Sequence, residues 1–437
     1  MDYRKKILQL SKNFYESKEI EKFTPGKTYI PCTGKIIDQD DLYNLLDSSL
    51  DLWLTAGRYT KQFENDLAKK IGLKYSILTV SGSSANLLAF AALTSWKLKK
   101  KIEFGSEVIT PAASFPTTVA PIIQNNSVPV FVDVDLETGN LLTEQVEEAI
   151  SENTSAIMAA HTLGNPFDLE KICEIKNQNN LFLIEDTCDA FGSKYKGQNV
   201  GTFGDTATLS FYPAHHITMG EGGAVLTNKL NYKILIESFR DWGRDCFCMP
   251  GEQNTCGNRF SQKHGDLPYG YDHKFTFSHI GYNLKATDMQ AAIGVSQLKK
   301  VDKFIQTRKD NFEKLSQEFK KNGLDQYFIL PKKTENSDPS WFGFLLTLKE
   351  NSKIDRRTFV SELEENKIGS RQLFAGNIIK QPGFKNIKYR KIGDLKNTDY
   401  IMRQSFWIGV WPGINDERIS YIVKTFRKII NKYFIRE

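Results

Sequence analysis

No apolar run in the 437 residues approaches the roughly 20 needed to cross a bilayer. The first residues, Met1-Asp2-Tyr3-Arg4-Lys5-Lys6-Ile7-Leu8, hold no apolar core of signal-peptide length. Both absences predict a cytoplasmic protein. Its six cysteines are then expected to be reduced thiols or metal ligands, not disulfides. The net charge is only +6, and no basic run is dense enough to argue for nucleic acid. A mild positive excess suits a phosphorylated substrate or an acidic partner, but it is equally ordinary for a soluble protein. Internal repeats and low-complexity tracts are also missing.

What is present is a chain long enough for two or three domains, with 40% apolar residues to bury them. Helix-period and strand-period segments alternate, so the expected class is α/β with a mostly parallel sheet. Residues 1–35 read as a helix and an arm. Residues 36–304 read as a large domain with a polar, Cys-, Gly- and Asn-rich insertion at 243–275. Residues 305–437 read as a smaller α/β domain. Short buried strands are predicted at Tyr75–Val80, Glu107–Thr110, Val128–Val132, Ser155–Ala159, Leu181–Glu185, Thr206–Ser210 and Ala224–Thr227. A long helix is predicted after Asn283, with Met289, Ile293, Val301 and Phe304 on one face. In the last third, the best strand is Phe342–Leu348 and the last helix is Glu417–Tyr433.

Three features point to a ligand. Ser81-Gly82-Ser83-Ser84 lies between a strand and a helix, where free N–H groups make an anion site, or simply a helix cap. Asp186 ends a buried strand, where α/β folds place ligands, though it could merely cap the next turn. Ser210 and His215 put a hydroxyl and a base just after another strand, ahead of Gly220, Gly222 and Gly223. His216 has the better claim to a purely structural histidine.

The order of motifs resembles the sugar aminotransferase family of the type I pyridoxal-phosphate fold. The matching residues are Gly82-Ser83-Ser84-Ala85, Thr110-Pro111 with Phe115, Glu185-Asp186, Ser210-Phe211, Gly220-Glu221-Gly222-Gly223 and Gly281-Tyr282-Asn283. The resemblance implies that Gly82, Ser83, Ser84 and Ser210 hold a cofactor phosphate. Phe115 would stack on the pyridine ring, and Asp186 would pair with its nitrogen. Asn283 would reach the cofactor phosphate of a neighbouring subunit, which implies a homodimer. One departure matters most: His215 stands where the family carries its Schiff-base lysine. A histidine cannot form that bond, but it can move protons.

Cys188, Cys246, Cys248 and Cys256 have the spacing C-x57-C-x-C-x7-C. Four thiolates suggest zinc or an iron–sulfur cluster, although this spacing fits neither zinc ribbons nor plant-type ferredoxins. Scattered free thiols remain an alternative. Cys173 reads as helical core, and Cys32 carries no role. Cys188 lies two residues beyond Asp186, so their backbones are at most about 7 Å apart.

The histidine and cysteines together resemble one branch of the family, the CDP-4-keto-6-deoxyglucose 3-dehydrases of 3,6-dideoxyhexose biosynthesis. That resemblance implies pyridoxamine 5'-phosphate, a 2Fe–2S cluster on Cys188, Cys246, Cys248 and Cys256, and His215 as the proton-transfer residue. It implies an NADH-dependent flavin and iron–sulfur reductase as electron donor, and a CDP-sugar as substrate. The alternatives are a cluster-free dehydratase and a non-catalytic fold used as a scaffold. Asp189 and Tyr212 lie near this chemistry in sequence, without assigned roles.

Overall fold

In the computed structural model, residues 2–19, 21–246, 248, 250–350 and 353–434 are described. Short runs of β-branched and aliphatic residues, bounded by turns, form most of the large sheet. Its strands are β1 (Tyr75–Thr79), β2 (Glu107–Pro111), β3 (Val128–Val132), β4 (Thr154–Ala160), β5 (Phe182–Asp186), β6 (Thr206–Ser210) and β7 (Gly223–Thr227). The last third adds β8 (Phe328–Ile329), β9 (Gly343–Leu348), β10 (Arg390–Lys391) and β11 (Ser405–Gly409).

The large sheet has the order β1-β7-β6-β5-β4-β2-β3-β10. Strands β6, β5, β4, β2, β3 and β10 run parallel, and β7 is antiparallel to both its neighbours. β5, β6 and β7 are buried along their whole length, as expected of strands covered on both faces. One face packs on the helices Gly82–Leu93 and Leu230–Arg240, which supply Leu88, Ala89, Leu235 and Ile236. The other face receives Val146, Ile172 and Ile175. All seven large-domain strands expected from sequence match to within one residue at each end. β10 was not expected, since two residues give no periodic signal.

The long helix is Asp288–Lys321. Thr287 caps it, and Gln290 completes the capping box. It continues well past residue 304, and its buried entry face differs from the expected one. Met289 and Ile293 are only half-buried, whereas Ala291, Ala292, Gly294 and Val295 are buried. Small residues are required because the helix Arg58–Ile71 approaches closely. A Cβ on Gly294 would lie 2.0 Å from Met219 Cε and 2.9 Å from Phe63. Further along, Phe312, Leu315 and Phe319 leave the large sheet and enter a second core.

That second core belongs to the antiparallel sheet β8-β9-β11. The helices Arg356–Glu365 and Asp416–Phe434 cover it. Its centre is aromatic: Phe328, Phe359, Phe406 and Phe426 pack ring to ring. Within the insertion 243–275, the described residues form turns and one short 3-10 segment, His273–Phe275. Polar contacts hold it, chiefly the two-point pair of Arg259 with Asp272 and the bond from Asp245 N to Thr276 O at 2.9 Å. Among the described residues, no helix is long and apolar enough to cross a membrane.

Phe406 is fully buried among three other phenyl rings. Phe406→Ala is expected to cost about 3–5 kcal/mol, measured as a lower midpoint in urea-induced unfolding. A change below about 1 kcal/mol would mean that this aromatic core does not stabilise the small sheet.

Candidate active site

The carboxyl ends of the parallel strands open onto one cavity of about 860 Å³. Gly82 follows β1, Phe115 follows β2, Ala160 ends β4, Asp186 ends β5 and Ser210 ends β6; all five line it. This is where open α/β sheets bind ligands. The small-sheet side closes the cavity with Phe342, Arg371, Phe374 and Trp407.

Asp186 is 5% exposed, so its charge needs partners. Asn86 Nδ2 donates to Oδ2 at 2.8 Å, and Thr118 Oγ1 donates to the same oxygen at 2.7 Å. Cys188 N donates to Oδ1 at 3.2 Å. The Thr208 hydroxyl spends its hydrogen on Asn86 Oδ1 at 2.7 Å, which orients the amide toward Asp186. The carboxylate is thus fixed as an acceptor facing the cavity, as a protonated ring nitrogen would require. Asn86 and Thr118 were not singled out in the sequence. The available signal was Asn86 four residues after Gly82, on the same face of one helix.

The anion end is built on the helix Gly82–Leu93, capped by Ser81 Oγ on Ser84 N at 3.1 Å. A Cβ on Gly82 would meet Ser210 Cβ at 2.5 Å and Cys188 Sγ at 2.9 Å. Only glycine lets the turn sit this close to β6. Ser83 and Ser210 line the cavity, whereas the Ser84 hydroxyl is engaged by Ser81 at 3.0 Å and does not. Phe115 is 49% exposed, with one ring edge against Phe374 and a face free for stacking. Asn283 lies on an exposed segment bonded to Lys285, outside this cavity.

His215 lines the cavity between Asp189 and Phe342. Its Nδ1 lies 3.4 Å from Asp189 Oδ1, and its ring packs on Phe342 at 5.1 Å. Burial pushes the Asp189 carboxyl above its usual value, while His215 pulls it back. Arg308, fully buried, holds the loop from below. It donates to the carbonyls of Ala214 (3.4 Å), His215 (3.1 Å), Trp341 (3.4 Å) and Phe342 (3.4 Å). Burial lowers its pKa to about 9. Neither Arg308 nor Phe342 was identified from sequence; both come from more than 90 residues further along the chain. His216 is buried on Ser340, as a structural histidine should be.

The cysteines behave differently from the expected set. Cys188 sits in the cavity, 3.9 Å from Thr208 Oγ1, and burial keeps its thiol protonated. Cys246 and Cys248 interact with each other in the insertion, and Cys248 Sγ lies 3.0 Å from Thr255 Oγ1. Cys256 Sγ is 4.0 Å from His273 Nδ1. Among the described residues, no three Cys, His, Asp or Glu side chains converge as a metal-ion site. The residues therefore fit a pyridoxal-type cofactor but, as arranged, not a four-thiolate cluster. Cys173 is half-buried against the sheet, and Cys32 is core, with Sγ 3.4 Å from Trp407 O.

Fold and cavity together define an α/β protein of the type I pyridoxal-phosphate fold. The chain belongs to the DegT/DnrJ/EryC1/StrS aminotransferase family, whose model matches residues 35–427. It is 53% identical over 433 residues to the lipopolysaccharide biosynthesis protein RfbH of Salmonella typhimurium, covering 99% of each chain. It is 48% identical over 432 residues to the dTDP-4-dehydro-2,6-dideoxy-D-glucose 3-dehydratase of Saccharopolyspora spinosa, covering 99% of this chain and 93% of that protein. The structure of an E. coli GDP-4-keto-6-deoxy-D-mannose-3-dehydratase with bound hydrated PLP superposes with a TM-score of 0.82. That pair is 29% identical and covers 91% of this chain and 100% of the other.

Gly82→Ala forces the turn away from Ser210 and Cys188. Overpacking of this kind costs about 1–3 kcal/mol of stability, and the displaced turn should also weaken pyridoxamine phosphate binding by about tenfold or more, each tenfold being about 1.4 kcal/mol. A fluorescence titration of the apoprotein measures it. Unchanged affinity would remove Gly82 from the anion cradle.

Proposed function

We propose that this protein removes the C3 hydroxyl of CDP-4-keto-6-deoxyglucose, using pyridoxamine 5'-phosphate, in the biosynthesis of 3,6-dideoxyhexoses of O-antigen. The observation that carries the reading is His215. It lines the cofactor cavity opposite the fixed carboxylate of Asp186, and it cannot hold the cofactor covalently. Relatives named as 3-dehydratases act on dTDP- and GDP-linked sugars. The choice of CDP rests on the resemblance of the cysteine spacing.

When bound, pyridoxamine phosphate supplies an amine for the sugar's C4 ketone and a ring that accepts an electron pair. Gly82, Ser83 and Ser210 would hold its phosphate, Phe115 its ring face, and Asp186 its ring nitrogen. His215 would move the proton at the carbon bearing the amine, by general base catalysis. Phe342 and Trp407 keep that region apolar and limit water. The whole cavity, about 860 Å³, lies within the range of about 300–1,000 Å³ usual for ligand pockets. Asn283, exposed beyond this cavity, would serve the cofactor of a second subunit in a homodimer. A 2Fe–2S cluster on Cys188, Cys246, Cys248 and Cys256 and an NADH-dependent flavin and iron–sulfur reductase are what the resemblance to the CDP-sugar branch implies. No step is derived through them. A cluster-free nucleotide-sugar dehydratase is the second reading, favoured by the separate placement of these thiols.

His215→Asn is expected to abolish C3–O cleavage while pyridoxamine phosphate still binds, read by product mass spectrometry beside a cofactor titration. Undiminished turnover in that variant sinks the assignment. For the cluster, anaerobically purified protein should contain about two irons and two sulfides per chain. Stoichiometric zinc, or no metal with full dehydratase activity, leaves the cluster-free reading.

A further inference from the structure

Two carboxylates, Asp186 and Asp189, line the cofactor cavity. Among the described residues, Arg371 is the one lysine or arginine that lines it with them. Asp186 is held by Asn86, Thr118 and the Cys188 amide, and Asp189 faces His215. Arg371 pairs with neither. Its Nη1 donates to the Ser370 carbonyl at 2.8 Å. Among the described residues that is its one side-chain hydrogen bond, and no carboxylate is in salt-bridge contact with it. A guanidinium carries five N–H donors, so most of this fork is left for a ligand. An anion entering a cavity with two carboxylates is repelled unless it meets this cation.

The side chain is exposed, but its backbone is fixed. Arg371 N donates to Trp407 O at 3.0 Å, and Trp407 N donates to Arg371 O at 2.7 Å. Trp407 Nε1 adds a bond to the Gln372 carbonyl at 3.0 Å. Rings connect this anchored cation to His215. The imidazole packs on Phe342 at 5.1 Å, and Phe342 packs on Trp407 at 5.3 Å. Phe342, Trp407 and Arg371 all belong to the small-sheet side of the cavity. Gly82, Ser83 and Ser210, the proposed phosphate cradle of the cofactor, belong to the large-sheet side. Arg371 is thus a separate anion-binding group. In a nucleotide sugar, the reacting C3 and C4 lie across the hexose ring from C1, which bears the diphosphate. A sugar presenting C3 and C4 to His215 must extend its diphosphate away from the imidazole.

We propose that Arg371 binds the diphosphate of the nucleotide-sugar substrate, and thereby sets where the hexose ring stops relative to His215. The planar fork suits this anion, since it can donate paired hydrogen bonds to phosphate oxygens. Trp407 holds the backbone from which the fork projects, and its ring continues the apolar wall between the diphosphate and the base. The diphosphate is common to all nucleotide sugars, so this contact supplies affinity and position without choosing a base. The identity of the anion rests on the proposed nucleotide-sugar substrate; the place of the unpaired cation does not.

Calorimetric titration of the pyridoxamine-phosphate-loaded protein with CDP and with cytidine tests the contact. Arg371→Gln removes the charge but keeps an amide donor for Ser370. In this variant the affinity for CDP is expected to fall about ten- to hundredfold, while the affinity for cytidine stays unchanged. Arg371→Lys keeps a point charge without the fork, and is expected to retain part of the CDP affinity. Unchanged CDP affinity in Arg371→Gln overturns the proposal. An equal loss for CDP and cytidine also overturns it, and moves Arg371 to the nucleoside. A matching loss of pyridoxamine phosphate affinity overturns it as well, and moves Arg371 to the cofactor. GDP or dTDP binding in place of CDP, with the same loss in Arg371→Gln, changes the base and keeps the contact. Binding of none of the three diphosphates overturns the contact together with the nucleotide-sugar reading. A protein that binds CDP through Arg371 but dehydrates no nucleotide sugar loses the proposed reaction alone. An active dehydratase whose CDP affinity survives Arg371→Gln loses the contact alone.

Discussion

The buried carboxylate of Asp186 is the constraint on which the site depends. An ionised group at the end of a fully buried strand is tolerable only if donors surround it. Asn86, Thr118 and the Cys188 amide provide them, from three separate elements. Satisfying one charge therefore fixes the helix after β1, the helix after β2 and the turn after β5 relative to one another. Gly82, Phe115 and Cys188 take their places as a consequence. A cofactor ring held by Phe115 and Asp186, as proposed, would meet groups already fixed by the protein's own hydrogen bonds, with little left to reorganise on binding.

Arg308 plays the corresponding role on the opposite wall. Its cation has no carboxylate in salt-bridge contact among the described residues, and it is stabilised by four carbonyl oxygens. Two belong to the His215 loop and two to the segment entering β9. His215 is thereby tied to the small sheet through the middle of the long helix. The ring of Phe342, next to one of those carbonyls, packs against the imidazole. The site is consequently a joint product of both sheets.

How much could be read beforehand differs by kind of feature. The strands of the large sheet were legible because short aliphatic runs between turn residues have few other stable outcomes. Gly82, Asp186, Ser210 and His215 were legible because each follows or ends such a strand. The entry face of the long helix was misjudged. Periodicity favoured Met289 and Ile293, but a close neighbouring helix requires Ala291, Ala292 and Gly294. The cysteine set was read from spacing, which carries no information on whether a 33-residue irregular segment brings its thiols toward Cys188.

By itself, the sequence determined the fold class, the order of motifs and the exchange of a lysine for His215. These are local properties, set by residue type and by the period of two or 3.6 along the chain. Only the tertiary structure decided which groups support them. Asn86, Thr118, Arg308 and Phe342 reach Asp186 or the His215 loop from separate elements, and pairing across such separations has no local signature. The reason is the same in each case. A buried polar atom must find a partner, but the chain does not specify where that partner lies until the sheets and helices have packed.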